Sequence, residues 1–403
     1  MTPDTLLARI TDYASRPDPY PLYAELREAG GVVRQTDGSY LVGTYHEINA
    51  LLHDPRISSD QRNLSEPYRG LAEEEQQPAA FISLDDPEHH RVRSIVTRPF
   101  GPPHSPGRIH AMRGEIARIT EELIDAFGDR KRIDLVDDFA YPLPVAVICR
   151  LLGVPREDEP LFRAWSTTMI EAADVRPGED HTEVRRAATR AREDMGDYLV
   201  GLAEQRRGKP TDDMLSAFIN EPDPAHRLTR EELANNGAIL LLAGHETTVN
   251  LITNGMLTLL RHPDQLERLR REPALMPKVV EELLRYEPPV HLVPTRTPLV
   301  DVKVAGATVP KGVRLVLVLA SGSRDPVRFR EPDRFDPTRE DNAHLGFGGG
   351  VHICYGAALA RMEAQIALDA LTQRLGSARL VEDPPQYRAS ATLRGPRHLP
   401  VDL

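Results

Sequence analysis

Ten residues, FGGGVHICYG at 347–356, hold the most suggestive chemistry in this chain. Cys354, one of two cysteines, stands between a glycine-rich turn and the start of an alanine-rich helix. Backbone N–H groups and the dipole at a helix N-terminus stabilise a thiolate, which makes such a cysteine a nucleophile or a metal ligand. Gly348, Gly349, Gly350 and Gly356 strip side chains from both sides, as needed if a flat, bulky group must come within bonding distance of the sulfur. A phosphate cradle fails: no register fits G-x-G-x-x-G, no G-K-[ST] follows and no clear strand precedes. Zinc would need further ligands at close spacing, and c-type haem a second cysteine and a following histidine; neither set is there. On spacing alone, a packed cysteine and a functional one both stay open.

Three other groups have suggestive residue types. Ala243-Gly244-His245-Glu246-Thr247-Thr248 interrupts an apolar helical run with a glycine, an acid and two hydroxyls. Glu282 and Arg285 share a helix face at i and i+3, which by itself describes a surface pair contributing about 0.2–0.5 kcal/mol. His89 and Arg93 lie one helical turn apart, while His90 and Arg91 point to other faces and are expected to be exposed.

The elements that must position these residues are mostly helical. Thr229 with Glu232 forms a capping-box signature, and apolar spacing then runs to about Leu260, before His262-Pro263. That predicts a helix of about thirty residues against an average of about 11–12. It is apolar nearly all round at Ile239–Ala243, as a helix crossing the interior must be. Gly244 weakens its centre, and a Thr hydroxyl there can bond the carbonyl four residues back and bend it. VVRQTDGSYLVG alternates around an Asp-Gly turn and predicts a hairpin; VDVKVAGATVPKGVRLVLVL predicts more short strands. The fold class is therefore mainly α with a smaller β subdomain. The β-rich portion is expected at about 30–45, 290–320 and 380–403, and the helical portion at about 46–288 and 355–376, within one domain spanning 1–403.

Lys plus Arg number 50 against 61 for Asp plus Glu, a net charge of −11, which argues against nucleic acid or an anionic membrane as partner. No stretch reaches the ~18 apolar residues of a spanning helix, and the N-terminus lacks a leader pattern. Cys149 lies in the apolar run VAVICRLLGV and reads as a packed thiol, so a reducing, cytoplasmic setting is expected.

The run Phe347-x-x-Gly350-x-His352-x-Cys354-x-Gly356, continuing into Ala357-Ala358-Leu359-Ala360-Arg361, resembles the haem-binding signature of the cytochromes P-450. Further matches in the expected order extend the resemblance over essentially the whole chain: His89-x-x-x-Arg93, the AGHETT segment, Glu282-x-x-Arg285 and Pro332-Asp333-Arg334-Phe335. The resemblance implies the family's fold, with a long central helix over haem b and the cysteine loop on the proximal side. It makes Cys354 the axial iron ligand, with Ala243, Phe347, Gly348 and Gly356 against the macrocycle. It makes His89, Arg93, Arg296 and His352 donors to the propionates. Thr247 would hydrogen-bond bound O2 and Glu246 would relay protons. Glu282 and Arg285 would form a buried pair joined by Arg334, with a structural role. Pocket walls would come from about 57–88, the helices around 165–200, Ile239, Leu242 and Ala243, the segment Val290, His291, Leu292 and Val293, and the turn near Leu393. His291 is the candidate polar handle.

The implied activity is a monooxygenase that inserts one atom of O2 into a lipophilic small molecule, such as a polyketide, terpenoid or steroid. Electrons would come from NAD(P)H through a ferredoxin or flavodoxin and its reductase, because the chain carries no flavin or nicotinamide motif. Arg91 is a candidate for docking an acidic electron donor. Two rivals stand beside this reading: a haem-thiolate enzyme of other chemistry, such as a peroxygenase or coupling catalyst, and a non-catalytic haem sensor. The retained Glu246-Thr247 pair argues against both.

Overall fold

The computed structural model describes residues 5–69, 80–100, 106–173 and 182–403. Its axis is one helix, Arg230–Arg261, 32 residues long. The capping box forms: Thr229 Oγ1 accepts the Glu232 N–H at 3.1 Å, and a Glu232 carboxylate oxygen accepts the Thr229 N–H at 2.8 Å. The helix ends at His262, and Pro263, which has no N–H to lose, opens the next helix, Pro263–Arg271. The expected loosening at its centre does not break it. Thr247 Oγ1 donates to the Ala243 carbonyl at 2.7 Å while the helix continues through Gly244 to Thr248.

Nearly every residue from Thr248 to Leu259 is buried, because helices pack this stretch on several sides. Gly255 permits a close approach: a Cβ there would stand 3.0 Å from Leu283 Cδ1 and 3.1 Å from Leu368 Cδ1. Those leucines belong to the helices Met276–Tyr286, which carries Glu282 and Arg285, and Ala357–Arg374, which follows Cys354. Helix Pro142–Leu152 packs on the central helix from another side, with Cys149 fully enclosed and its thiol pushed up by burial.

The strands are β1 Val32–Arg34, β2 Tyr40–Val42, β3 Ile57–Ser58, β4 Arg132–Asp134, β5 Leu292–Pro298, β6 Val302–Val304, β7 Ala307–Val309, β8 Leu315–Val318, β9 Arg379–Leu380 and β10 Pro400–Asp402. One sheet runs β1-β2-β8-β5-β3; another runs β4-β10-β9; β6 and β7 form a separate hairpin. The predicted hairpin is β1–β2, antiparallel with Val32 opposite Val42. β2 pairs with β8 in parallel, which joins the N-terminal hairpin to a strand almost 280 residues later. The β5–β8 register breaks between Val293 and Arg296. A bulge of this kind re-aims the residues beyond it, and Arg296 is among them.

Candidate functional site

The cysteine loop is pinned by its own backbone. Gly350–His352 make a short 3-10 turn in which the Ile353 N–H donates to the Gly350 carbonyl at 3.2 Å. The Cys354 N–H then donates to the Phe347 carbonyl at 3.0 Å, and helix Ala357–Arg374 starts at once behind Gly356. Cys354 is exposed, yet dense surrounding protein raises its thiol pKa; the Gly356 N–H and the charges of Arg93 and Arg361 pull it the other way. A residue that is exposed yet crowded by protein lines an internal opening. Ala243, in the middle of the enclosed central helix, is exposed as well, and Ile239, Leu242 and Thr247 on the same helix are half-buried. Phe81 links the two regions: its N–H donates to Asn236 of the central helix at 3.0 Å, and its ring meets Tyr355 edge-on at 5.6 Å.

Beside the loop lies a set of cationic and donor groups with little to neutralise them. His89 is buried, its ring centroid 4.2 Å from that of His352. Arg93 donates to the Ile353 carbonyl at 2.6 Å, and burial lowers its pKa. His352 is pushed down to about 3 by burial and by the nearby charges of His89, Arg296 and Arg93. Arg296 is itself lowered by burial, and its guanidinium donates to the Thr295 carbonyl at 2.9 Å. Among the described residues, His89 Nε2 and His352 Nδ1 have no hydrogen-bond partner although both atoms are buried. Buried donors of this kind require an anion with several acceptor oxygens. A sulfur ligand in an internal opening, two orphaned imidazole nitrogens and two arginines fit an iron porphyrin with its carboxylates.

On the other side, Glu246 is buried and ion-paired with Arg388 at 3.1 Å, and Asn250 Nδ2 approaches the same carboxylate oxygen at 3.4 Å. Arg388 comes from the C-terminal hairpin closed by the Tyr387–Pro396 bridge, a partner that nothing in the sequence announced. His245 faces Tyr141 edge-on at 4.3 Å on the far side of the helix and is lowered to about 3, chiefly by burial.

Three expectations need correction. Arg334 does not send its guanidinium to the Glu282–Arg285 pair; its side chain is 64% exposed beside Glu331, and the pair uses its carbonyl at 3.1 Å. Arg339 approaches Glu282 instead, at 3.5 Å. His291 is fully buried, with Nδ1 2.9 Å from the Tyr23 hydroxyl, and is no polar handle of a cavity. Leu292 packs in the small core of Leu41, Val316 and Val318, leaving Val290 and Val293 half-buried and Val290 bridged to Leu393. Arg91 is exposed, as expected, and is ion-paired with Glu232 of the capping box. Of the other expected pocket walls, residues 70–79 and 174–181 lie outside the described residues.

The cytochrome P450 family model matches residues 40–398. The cytochrome P450 monooxygenase PikC of Streptomyces venezuelae is 40% identical, over 97% of this chain and 92% of its own length. The vitamin D(3) 25-hydroxylase of Pseudonocardia autotrophica is 37% identical, over 96% of this chain and 94% of its own. Ligand-free CYP164A2 of Mycobacterium smegmatis superposes with a TM-score of 0.88 at 40% identity, covering 99% of both chains. With sulfur, donor cluster and long helix arranged as described, the chain belongs to the cytochrome P450 family and is an oxidoreductase of the monooxygenase type.

Proposed function

We propose that the chain binds haem b through Cys354 and oxidises a lipophilic small molecule with O2, taking electrons from a ferredoxin or flavodoxin supplied by NAD(P)H. When bound, the haem supplies the iron at which O2 is activated. The observation that carries the reading is the open donor cluster of His89, Arg93, Arg296 and His352 beside the cysteine loop, with two buried ring nitrogens awaiting acceptors. Those residues would hold the propionates; Gly348 and Gly356 carry no side chain beside the sulfur, and the exposed Ala243 carries only a methyl group. Thr247 presents its hydroxyl, bonded to the Ala243 carbonyl, on the half-buried face of the helix, and Glu246, held by Arg388, is the carboxylate that would take up protons from water and pass them on. The half-buried apolar faces of Ile239, Leu242, Val290, Val293 and Leu393 suit a substrate with little charge. Similarity to a vitamin D(3) hydroxylase supports a steroid-like lipophilic natural product as its class.

The test is the ferrous carbon monoxide spectrum of the haem-loaded chain, with Cys354→Ser as control. A far-red Soret band in the wild type, lost in the variant, supports the reading; a histidine-like band in both overturns it. Turnover with O2 and a surrogate ferredoxin system separates a monooxygenase from a sensor. Thr247→Ala is expected to divert NAD(P)H from product to peroxide, which a product-to-cofactor ratio measures.

A further inference from the structure

We propose that His53 is a positioning residue for the cysteine loop: its Nε2 holds the Gly350 N–H and, through the Gly350–His352 turn, fixes where the Cys354 sulfur points. The inference rests on the haem-thiolate reading above but adds a residue outside the family signature. His53 closes the helix Tyr45–His53. Its Nδ1 lies 2.7 Å from the Asn49 carbonyl. A carbonyl only accepts, so Nδ1 carries the ring's proton and Nε2 keeps its lone pair. Into that lone pair the Gly350 N–H donates at 3.1 Å.

The next links are short. The Gly350 carbonyl accepts the Ile353 N–H at 3.2 Å, and Cys354 follows with its own N–H on Phe347. Gly350 is thus held at both ends of its residue, one end by His53 and the other by the neighbour of the sulfur. The contact between helix end and loop is also tight. A Cβ at Gly349 would stand 3.0 Å from His53 Cε1, and one at Gly350 would stand 1.9 Å from the Leu52 carbonyl oxygen, at a φ of +63°. A Cβ at Gly348, by contrast, would meet nothing within 4 Å. The glycines that the sequence assigns to making room for a flat group therefore divide. Gly348 opens onto space, whereas Gly349 and Gly350 are small because this helix end presses on them. An imidazole acceptor at the point of pressing sets the loop in one register.

Two variants separate the hydrogen bond from the packing: His53→Phe keeps a ring without an acceptor, and His53→Gln offers an amide oxygen in its place. The readout is the rate at which the haem-loaded chain loses its thiolate-type carbon monoxide spectrum in a fixed sub-denaturing urea concentration. A hydrogen bond of ordinary strength makes His53→Phe about 2- to 10-fold faster than wild type, with His53→Gln returning towards it. Equal rates in all three, or Phe and Gln equally fast, overturn the proposal. The 15N spectra of the histidine rings in the haem-free chain give a second reading, with His53→Gln assigning the signal. A proton on Nδ1 supports the proposal, and a proton on Nε2 overturns it. If the wild type itself shows no thiolate band, the haem-thiolate reading fails, and the ring spectra still decide whether His53 holds Gly350.

Discussion

Two of the buried charged clusters in this molecule are finished differently. Glu282 and Arg285 are fully enclosed and joined by two bonds of 2.7 and 2.8 Å. The remaining Arg285 N–H groups reach the carbonyls of Ser323, Pro332 and Arg334, and Glu282 also accepts the Asp336 N–H and the Asn342 amide. That network is closed. The cluster of His89, Arg93, Arg296 and His352 is enriched in positive and neutral donors, contains two orphaned ring nitrogens, and has Asp86 at its edge, 3.4 Å from His89. That network is open. Folding tolerates a buried charge only when it is paired, so an incomplete set of donors marks a place where a ligand completes it.

The contrast breaks most sharply under substitution. Glu282→Gln strands the Arg285 charge in the interior and is expected to lower the unfolding free energy by about 3–5 kcal/mol, read from urea denaturation of the haem-free chain. Arg296→Met, in the open cluster, removes a charge that is in no ion pair among the described residues and has Asp85 as the acid acting on it, so the same measurement should move by about 0.5 kcal/mol or less. Its cost appears with haem. Losing one charge-assisted bond worth about 1.5–3 kcal/mol should speed haem transfer to a scavenger globin about 10- to 100-fold. Equal effects on the haem-free chain would erase the distinction between closed and open.

A smaller effect concerns His245, which is buried against Tyr141 and lowered to about 3. Its unfolded value is about 6.5, so between these limits the unfolded chain binds the extra proton. Stability is therefore complete above about pH 6.5 and falls as the pH drops towards 3, by up to about 1.4 kcal/mol per pH unit from this residue. His245→Phe should flatten that slope in pH-dependent urea unfolding. An unchanged slope would mean that His245 already ionises in the folded chain.

Much of this was legible in the sequence because it is local. The capping box, the His262-Pro263 stop, the β1–β2 hairpin and the placing of Cys354 before a helix depend on residues within a few positions of one another. What was not legible depends on long-range closure. Arg388 reaches Glu246 from 142 positions away in the chain, and no local pattern marks an arginine that will be buried. Glu282-x-x-Arg285 reads as a surface pair until the carbonyls of 323–334 fold over it. His291 looked like a cavity residue because its segment is one, but pairing of β5 with β8 and the Tyr23 hydroxyl turn it inward.

The smallest expected effect is also the sharpest check on reading roles from motif position. The Pro-Asp-Arg-Phe match assigns the third member of the closed network to Arg334, yet that side chain is mostly exposed and lies 3.7 Å from an equally accessible Glu331. Exposed pairs of this kind contribute between nothing and about 1 kcal/mol. What the network takes from position 334 is the carbonyl, which alanine supplies equally well. Arg334→Ala is therefore expected to change the unfolding free energy by about 0.5 kcal/mol or less. Arg339→Ala should cost more, about 1.5–3 kcal/mol, because it removes a nearly buried charge near Glu282 and a 2.7 Å bond to the Arg330 carbonyl. If the two ranked in the reverse order in one urea series, the guanidinium of Arg334 would belong inside the closed network after all, and exposure would be a poor guide to which arginine completes it.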